Sequence, residues 1–216
     1  HDDRWHVDYL LNKVRILEEH EDVGVVFSPY QVVTSDWFGR DMTLRRWLLR
    51  PTITSGRPFD NFSNLLQSNN VATFSCFVTR RSLLERVPDV PKDTIAFDWW
   101  MLVHLSMGTL FYYDKNSIAY WRWSKNSTVG GQNFFEHRER GCNFMDMMYR
   151  EIDSNSNALP EEKKEIFLSY QDRFAFFRRF YRHPDLAGFL RFFVRSPLWS
   201  LASMASLFIN YIKFGK

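Results

Sequence analysis

The run Val23-Gly-Val-Val-Phe-Ser-Pro-Tyr-Gln-Val-Val33 constrains the fold of this chain more than any other stretch. It is short, apolar and rich in β-branched residues, the pattern of a buried strand. Pro29 within it predicts a bulge or the strand's edge, because proline has no N–H for a ladder. The residues before it, 7–20, have helical spacing. Leu10, Val14 and Leu17 fall on one face, expected to be buried, and Asn12, Lys13, Glu18 and Glu19 on the other. Further strands are predicted at Phe74–Thr79, Thr109–Tyr113 and Ser117–Trp123, with short helices at Leu44–Leu49, Asn61–Leu66 and Ser82–Val87. Ser35-Asp36 and Phe38-Gly39-Arg40-Asp41 read as turns. Alternating helix and strand predicts an α/β fold with a mixed sheet.

The longest helical pattern in this part follows the loop that begins at Asp93. Asp98 stands at its start, and Trp99, Leu102, Val103 and Met107 recur at helical spacing and are expected to bury one face. An Asp there reads in two ways. It can cap free backbone N–H groups, or a rigid helix start can hold a carboxylate at a cleft. Trp99 and Trp100, at helical spacing, read as core residues. His104 takes no role.

From Phe134 onward the strand pattern disappears. Helices are predicted over Phe134–Ile152 and Glu161–Tyr181, separated by a loop ending at Pro160. From Arg173 to the end, eight basic residues face one acid, a net +7 in a chain whose total is +3. The last run, Leu198–Ile212, is apolar but shorter than the roughly 20 residues that span a bilayer. It reads either as a basic, aromatic membrane-surface helix or as a helix packed on the domain or on a partner. The small overall charge does not argue for nucleic acid, and the Phe and Leu content of the tail argues against a solvated basic face. Two cysteines, Cys76 and Cys142, cannot form a disulfide framework, so a reducing compartment is expected. The opening residues show no basic stretch followed by an apolar run, as a signal peptide would. His1 is not an initiator methionine, and a further segment is expected upstream.

Five stretches, in order, resemble glycosyltransferase family 2, the inverting enzymes of GT-A fold. Asp2-Asp3-Arg4-Trp5-His6-Val7-Asp8-Tyr9-Leu10 resembles the segment that follows the metal-binding Asp-x-Asp strand. Asp22-Val-Gly-Val-Val-Phe-Ser28 is similar to the next strand, and Cys76-Phe-Val-Thr-Arg-Arg-Ser-Leu-Leu84 to the strand ending in Phe-Arg-Arg-Ser-x-Leu. Phe97-Asp98-Trp99 resembles the segment that supplies the catalytic Asp. Tyr120-Trp-Arg-Trp-Ser-Lys-Asn-Ser127 resembles the closing strand and loop. The departures are Phe97 for a Glu, Ser124 for a His, and no Gln-x-x-Arg-Trp of the processive synthases.

The resemblance implies residues 1–132 as the C-terminal part of a GT-A domain, a mixed sheet flanked by helices with its N-terminal half missing. Residues 133–216 would be an all-helical tail. It implies Asp98 as catalytic base, Asp2 as a ligand of Mg²⁺ or Mn²⁺, and Asp3 near the metal or the sugar hydroxyls. Without it, Asp2-Asp3 reads as a solvated turn or cap. Trp99 and Trp100 would bind the acceptor sugar. Arg122 and Lys125 would contact phosphate, their alternative being a solvated loop. Arg80 and Arg81 would only solvate a strand end. The implied activity is sugar transfer from a nucleotide-diphosphate donor to a sugar or lipid-linked sugar, in bacterial cell-surface polysaccharide synthesis. The implied location is the cytoplasm, at the inner membrane face. A non-catalytic scaffold with an incomplete site is the alternative.

Overall fold

The structure is a computed structural model, and it describes residues 3–35, 41–47, 55–71, 73–92, 94, 96–122 and 134–182. The chain divides into two compact units, 1–130 and 131–216. The first has mixed α/β architecture, with two open mixed sheets where the sequence predicted one.

In chain order the strands are β1 (Arg4–Trp5), β2 (Val23–Phe27), β3 (Tyr30–Ser35), β4 (Asp41–Trp47), β5 (Pro58–Phe59), β6 (Phe77–Thr79), β7 (Leu110–Tyr113) and β8 (Ala119–Arg122). The helices of this unit are α1 (Tyr9–Glu19), α2 (Phe62–Gln67), α3 (Arg81–Leu84) and α4 (Phe97–Gly108). One sheet has the order β1-β8-β3-β4 and the other β5-β7-β2-β6. In each, the two central strands run parallel and the outer ones antiparallel.

The run from Val23 to Val33 is therefore two strands in two sheets, and Pro29 stands between them, within neither ladder. Pro29 sits at the corner. With no N–H to offer, it cannot continue the first ladder, but its carbonyl accepts from Ala119 N–H at 3.3 Å. Beside it, Ser28 N–H donates to Cys76 O at 3.0 Å and Asp114 N–H to Phe27 O at 2.8 Å. The corner thus lies along the turn that joins β7 to β8.

β2 is buried along its whole length, as a central strand covered on both faces must be. Phe27 packs its ring against Phe59, Phe111 and Tyr113. Each such side chain removed from water contributes about 1.5–3 kcal/mol. Gly24 is required here for closeness. A Cβ at this position would collide with Leu83 Cδ1 and sit 2.5 Å from Thr109 Oγ1.

Three expectations are corrected. Leu44–Leu49 is not a helix where described: Asp41–Trp47 forms β4, paired from Ser35↔Asp41 to Tyr30↔Trp47. Pairing with β3 overrides the helical preference of isolated leucines and arginines. Phe74–Cys76 is a 3₁₀ turn and only Phe77–Thr79 is strand. The buried face of α1 carries Tyr9, Lys13 and Leu17, while Leu10 and Val14 are 46% and 44% exposed. Lys13 is fully buried because its ammonium has two neighbours inside. It lies 4.5 Å from the centre of the Tyr9 ring and 3.8 Å from Asp114 Oδ2. Asp114 in turn accepts from Asn116 N–H at 2.9 Å and from the Ser117 hydroxyl. Among the described residues no hydrogen-bond acceptor meets Lys13 Nζ, and burial, opposed by Asp114, brings its pKa down to about 8.

Arg80 does more than solvate a strand end. Its guanidinium donates to Val23 O at 3.0 Å, to His20 O at 3.2 Å and to Leu17 O. It thereby binds the end of β6 to the carbonyl end of α1, where a cation is favoured.

The second unit contains α5 (Phe134–Ser154) and α6 (Glu161–Arg182) among the described residues. Tyr149 stacks on Phe174 with centroids 4.5 Å apart, and Phe144, Met148, Ile152 and Phe167 are buried. The apolar run at 198–212 lies outside the described residues. No described helix is long and apolar enough to cross a membrane.

Candidate functional site

α4 begins at Phe97, one residue before Asp98, because Ala96 N-caps it without a side-chain bond. Asp98 therefore lies inside the first turn. Its Oδ1 accepts from Trp99 N–H at 2.7 Å, so the carboxylate does part of a cap's work from within the helix. Asn69 donates its side-chain amide to Asp98 while its Oδ1 accepts from Val71 N–H at 3.1 Å. The helix start favours the ionised form. Burial opposes it and wins: the Asp98 carboxyl is pushed up to about 6.

The asparagines that hold Asn69's neighbourhood carried no readable signal beyond their clustering at 61, 64, 69 and 70. Asn61 is fully buried; its amide donates to Asn70 Oδ1 at 3.1 Å, and its own Oδ1 accepts from Asn70 at 2.8 Å and Asn64 at 3.1 Å. Trp99 ties α4 to α2, its indole N–H donating to Leu65 O at 2.7 Å. The two tryptophans part company here. Trp99 is half-buried, whereas Trp100 is 2% exposed, donates to Pro88 O at 3.2 Å and packs on His104. The ring of Trp100 belongs to the core and offers no face to a sugar.

Asp3 is held as firmly. Its Oδ2 accepts from the Ser75 hydroxyl at 2.5 Å and its Oδ1 from the backbone N–H of Arg122 at 2.9 Å. Ser75 is fixed in turn. Its carbonyl accepts from Trp5 Nε1 at 2.8 Å and from Tyr9 Oη at 2.9 Å, and the Trp5 and Tyr9 rings stack 5.1 Å apart. The stretch from Asn69 to Ser75 thus touches both acids, Asp98 at one end and Asp3 at the other. Asp2 and Lys125 lie outside the described residues.

Carboxylate oxygens suit Mg²⁺ or Mn²⁺. However, among the described residues no group of three His, Cys, Asp or Glu could hold a metal ion. The described residues alone therefore do not make a metal site. A groove of about 430 Å³ lies elsewhere, between α1 and the end of β7, lined by Arg15, Glu19, Tyr112 and Lys115 among others and by none of the candidate residues.

No protein-family model matches the chain, and no curated protein matches it.

Proposed function

We propose that this chain belongs to an inverting glycosyltransferase that moves a sugar from a nucleotide-diphosphate donor to a hydroxyl acceptor. Asp98 is the base. The observation that carries this reading is a carboxylate held in direction by Asn69 and the Trp99 N–H, with its proton affinity raised to about 6 by burial. A base so tuned is still ionised above neutral pH and takes up a proton more readily than an ordinary Asp. Its reaction is to accept the proton of the acceptor hydroxyl as that oxygen attacks the anomeric carbon. The side chains of Arg122 and Lys125 would neutralise the departing diphosphate, and Trp99 would border the acceptor sugar. Mg²⁺ or Mn²⁺, with Asp2 as a ligand, is part of this proposal on the resemblance alone, as are a polysaccharide or lipid-linked acceptor and a membrane-facing tail.

The test is calorimetric titration of the protein in its full native length with UDP, GDP and dTDP in the presence of Mn²⁺. Metal-dependent binding of one nucleotide supports the reading and identifies the donor class. Binding of none overturns it. A scaffold role is the second reading. It is favoured by the outward apolar residues of α1 and the turn before it: Val7, Leu10, Leu11 and Val14 are 88%, 46%, 59% and 44% exposed.

A further inference from the structure

We propose that Asp3 is a positioning residue, a buckle that joins the 3₁₀ turn at Ser75 to the end of β8 at Arg122, and that it does not contact metal or sugar. This inference rests on the transferase reading for its consequence, which is where the Arg122 side chain is held.

The pairing of β1 with β8 is only two residues long, Arg4↔Tyr120 and Trp5↔Ala119. That ladder holds one edge of β8 only; the other edge is paired with β3 as far as Val33↔Arg122, so what Asp3 adds is a partner for the Arg122 N–H on the β1 side. Asp3, immediately before β1, adds one more rung with its side chain, because Oδ1 accepts the Arg122 N–H. The other oxygen is anchored by a residue whose backbone is held three times, its N–H donating to Thr73 Oγ1 at 3.2 Å. Ser75 gives its hydroxyl to Asp3, and its carbonyl receives both Trp5 Nε1 and Tyr9 Oη. Tyr9 is fully buried, and its hydroxyl also accepts from Ser28 Oγ at 3.4 Å. The path therefore runs from the packed interior under α1, through Ser75 and Asp3, to the last described residue of β8. Hydrogen bonds to an ionised carboxylate are about twice as strong as neutral ones, so Asp3 is suited to hold a strand end against solvent. Each oxygen keeps a further lone pair, so it is the charge-neutral variant below that separates the buckle from a cation's ligand.

Asp3→Asn separates the two roles. The amide keeps an oxygen for the Arg122 N–H and an NH₂ that the Ser75 hydroxyl can accept from, but it loses the charge that a metal ligand needs. Asp3→Ala loses both. Two readouts are measured on the full-length protein: hydrogen exchange of the Arg122 amide, and binding of UDP, GDP or dTDP with Mn²⁺. In Asp3→Ala the Arg122 amide should exchange at least about tenfold faster, in line with a lost charge-assisted bond, and nucleotide affinity should fall about tenfold or more. In Asp3→Asn, where a neutral bond replaces the charge-assisted one, the Arg122 amide should exchange more slowly than in Asp3→Ala, and nucleotide affinity should stay within about threefold of wild type. If Asp3→Ala fails to fold, Ser75→Ala should speed Arg122 exchange severalfold and Ser75→Thr should restore it. Equal loss of nucleotide binding in Asp3→Asn and Asp3→Ala, with the Arg122 amide still protected in the former, overturns the proposal. So does unchanged Arg122 exchange in Asp3→Ala or Ser75→Ala. If wild type binds no nucleotide, the transferase reading falls, while Arg122 exchange still decides whether the buckle exists.

Discussion

Asp98→Asn should make the protein more stable at neutral pH while removing its base. In the folded state the Asp98 carboxyl is raised from 3.8 to about 6 by burial. The sign follows from proton binding. The folded protein holds this proton more tightly than the unfolded chain, so the group's contribution is fully present below about 4. It is lost as pH rises through about 6. Each pKa unit is worth about 1.36 kcal/mol, so the ionised carboxylate costs the fold about 3 kcal/mol at pH 8. This is a ceiling, because Asp98 keeps some contact with water. Asn cannot ionise, and its carbonyl can still accept the Trp99 N–H. The stability difference between variant and wild type should therefore move in the variant's favour between pH 4 and pH 7, by as much as about 2–3 kcal/mol. Urea unfolding followed by tryptophan fluorescence at each pH measures it. A difference that stays flat across that window would refute the argument that burial dominates at Asp98. Sugar transfer, assayed in the same variant, should be abolished; undiminished turnover would remove Asp98 as the base.

Two further substitutions probe the frame around the site. Lys13→Met should stabilise the protein at pH 7, by up to about 3 kcal/mol, because the lowered Lys13 pKa already includes the attraction of Asp114 and means that the buried ammonium costs the fold net free energy. It should also abolish a rise in wild-type stability between pH 8 and 10.5. That rise is expected because the Lys13 pKa is lower in the folded state than in the unfolded chain, and parallel pH profiles for the two proteins would contradict it. Gly24→Ala should cost about 1–3 kcal/mol through collision with Leu83 and Thr109, and an unchanged melting temperature would show that α3 and the α4–β7 turn yield freely.

Much of the α/β alternation was legible because burial writes itself as periodicity. α2, α4, β7 and β8 lie within a residue or two of where the pattern put them. The failures share one physical cause. Periodicity reports which residues are apolar, not which polar residues find partners inside. Lys13 reads as a solvent-facing lysine until Tyr9 and Asp114, the latter far along the chain, are brought beside it. Arg80 reads as a surface charge until the carbonyls of Leu17, His20 and Val23 converge on it. At the candidate site, Asp98 was visible from its place before an apolar helix. Asn69 and Ser75 were not, since a lone amide or hydroxyl in a loop carries no pattern. Trp100 shows the same limit in reverse: the spacing put Trp99 on the buried face with Leu102 and Val103, yet Trp100 is the tryptophan in the core and Trp99 is half-buried.

The corner at Pro29 has a consequence for the order of folding. β2 and β3 are neighbours in sequence, and their parallel partners β7 and β8 are neighbours too, with Val23 opposite Leu110 and Tyr30 opposite Ala119. Neither sheet can close until the chain has been made as far as residues 110–122, and then both can close together. Contacts so distant in sequence make for slow folding, because loop-closure entropy is lost before the pairing repays it. During synthesis the apolar strand β2 must wait for its parallel partner, and in that interval it is the segment most exposed to wrong pairing.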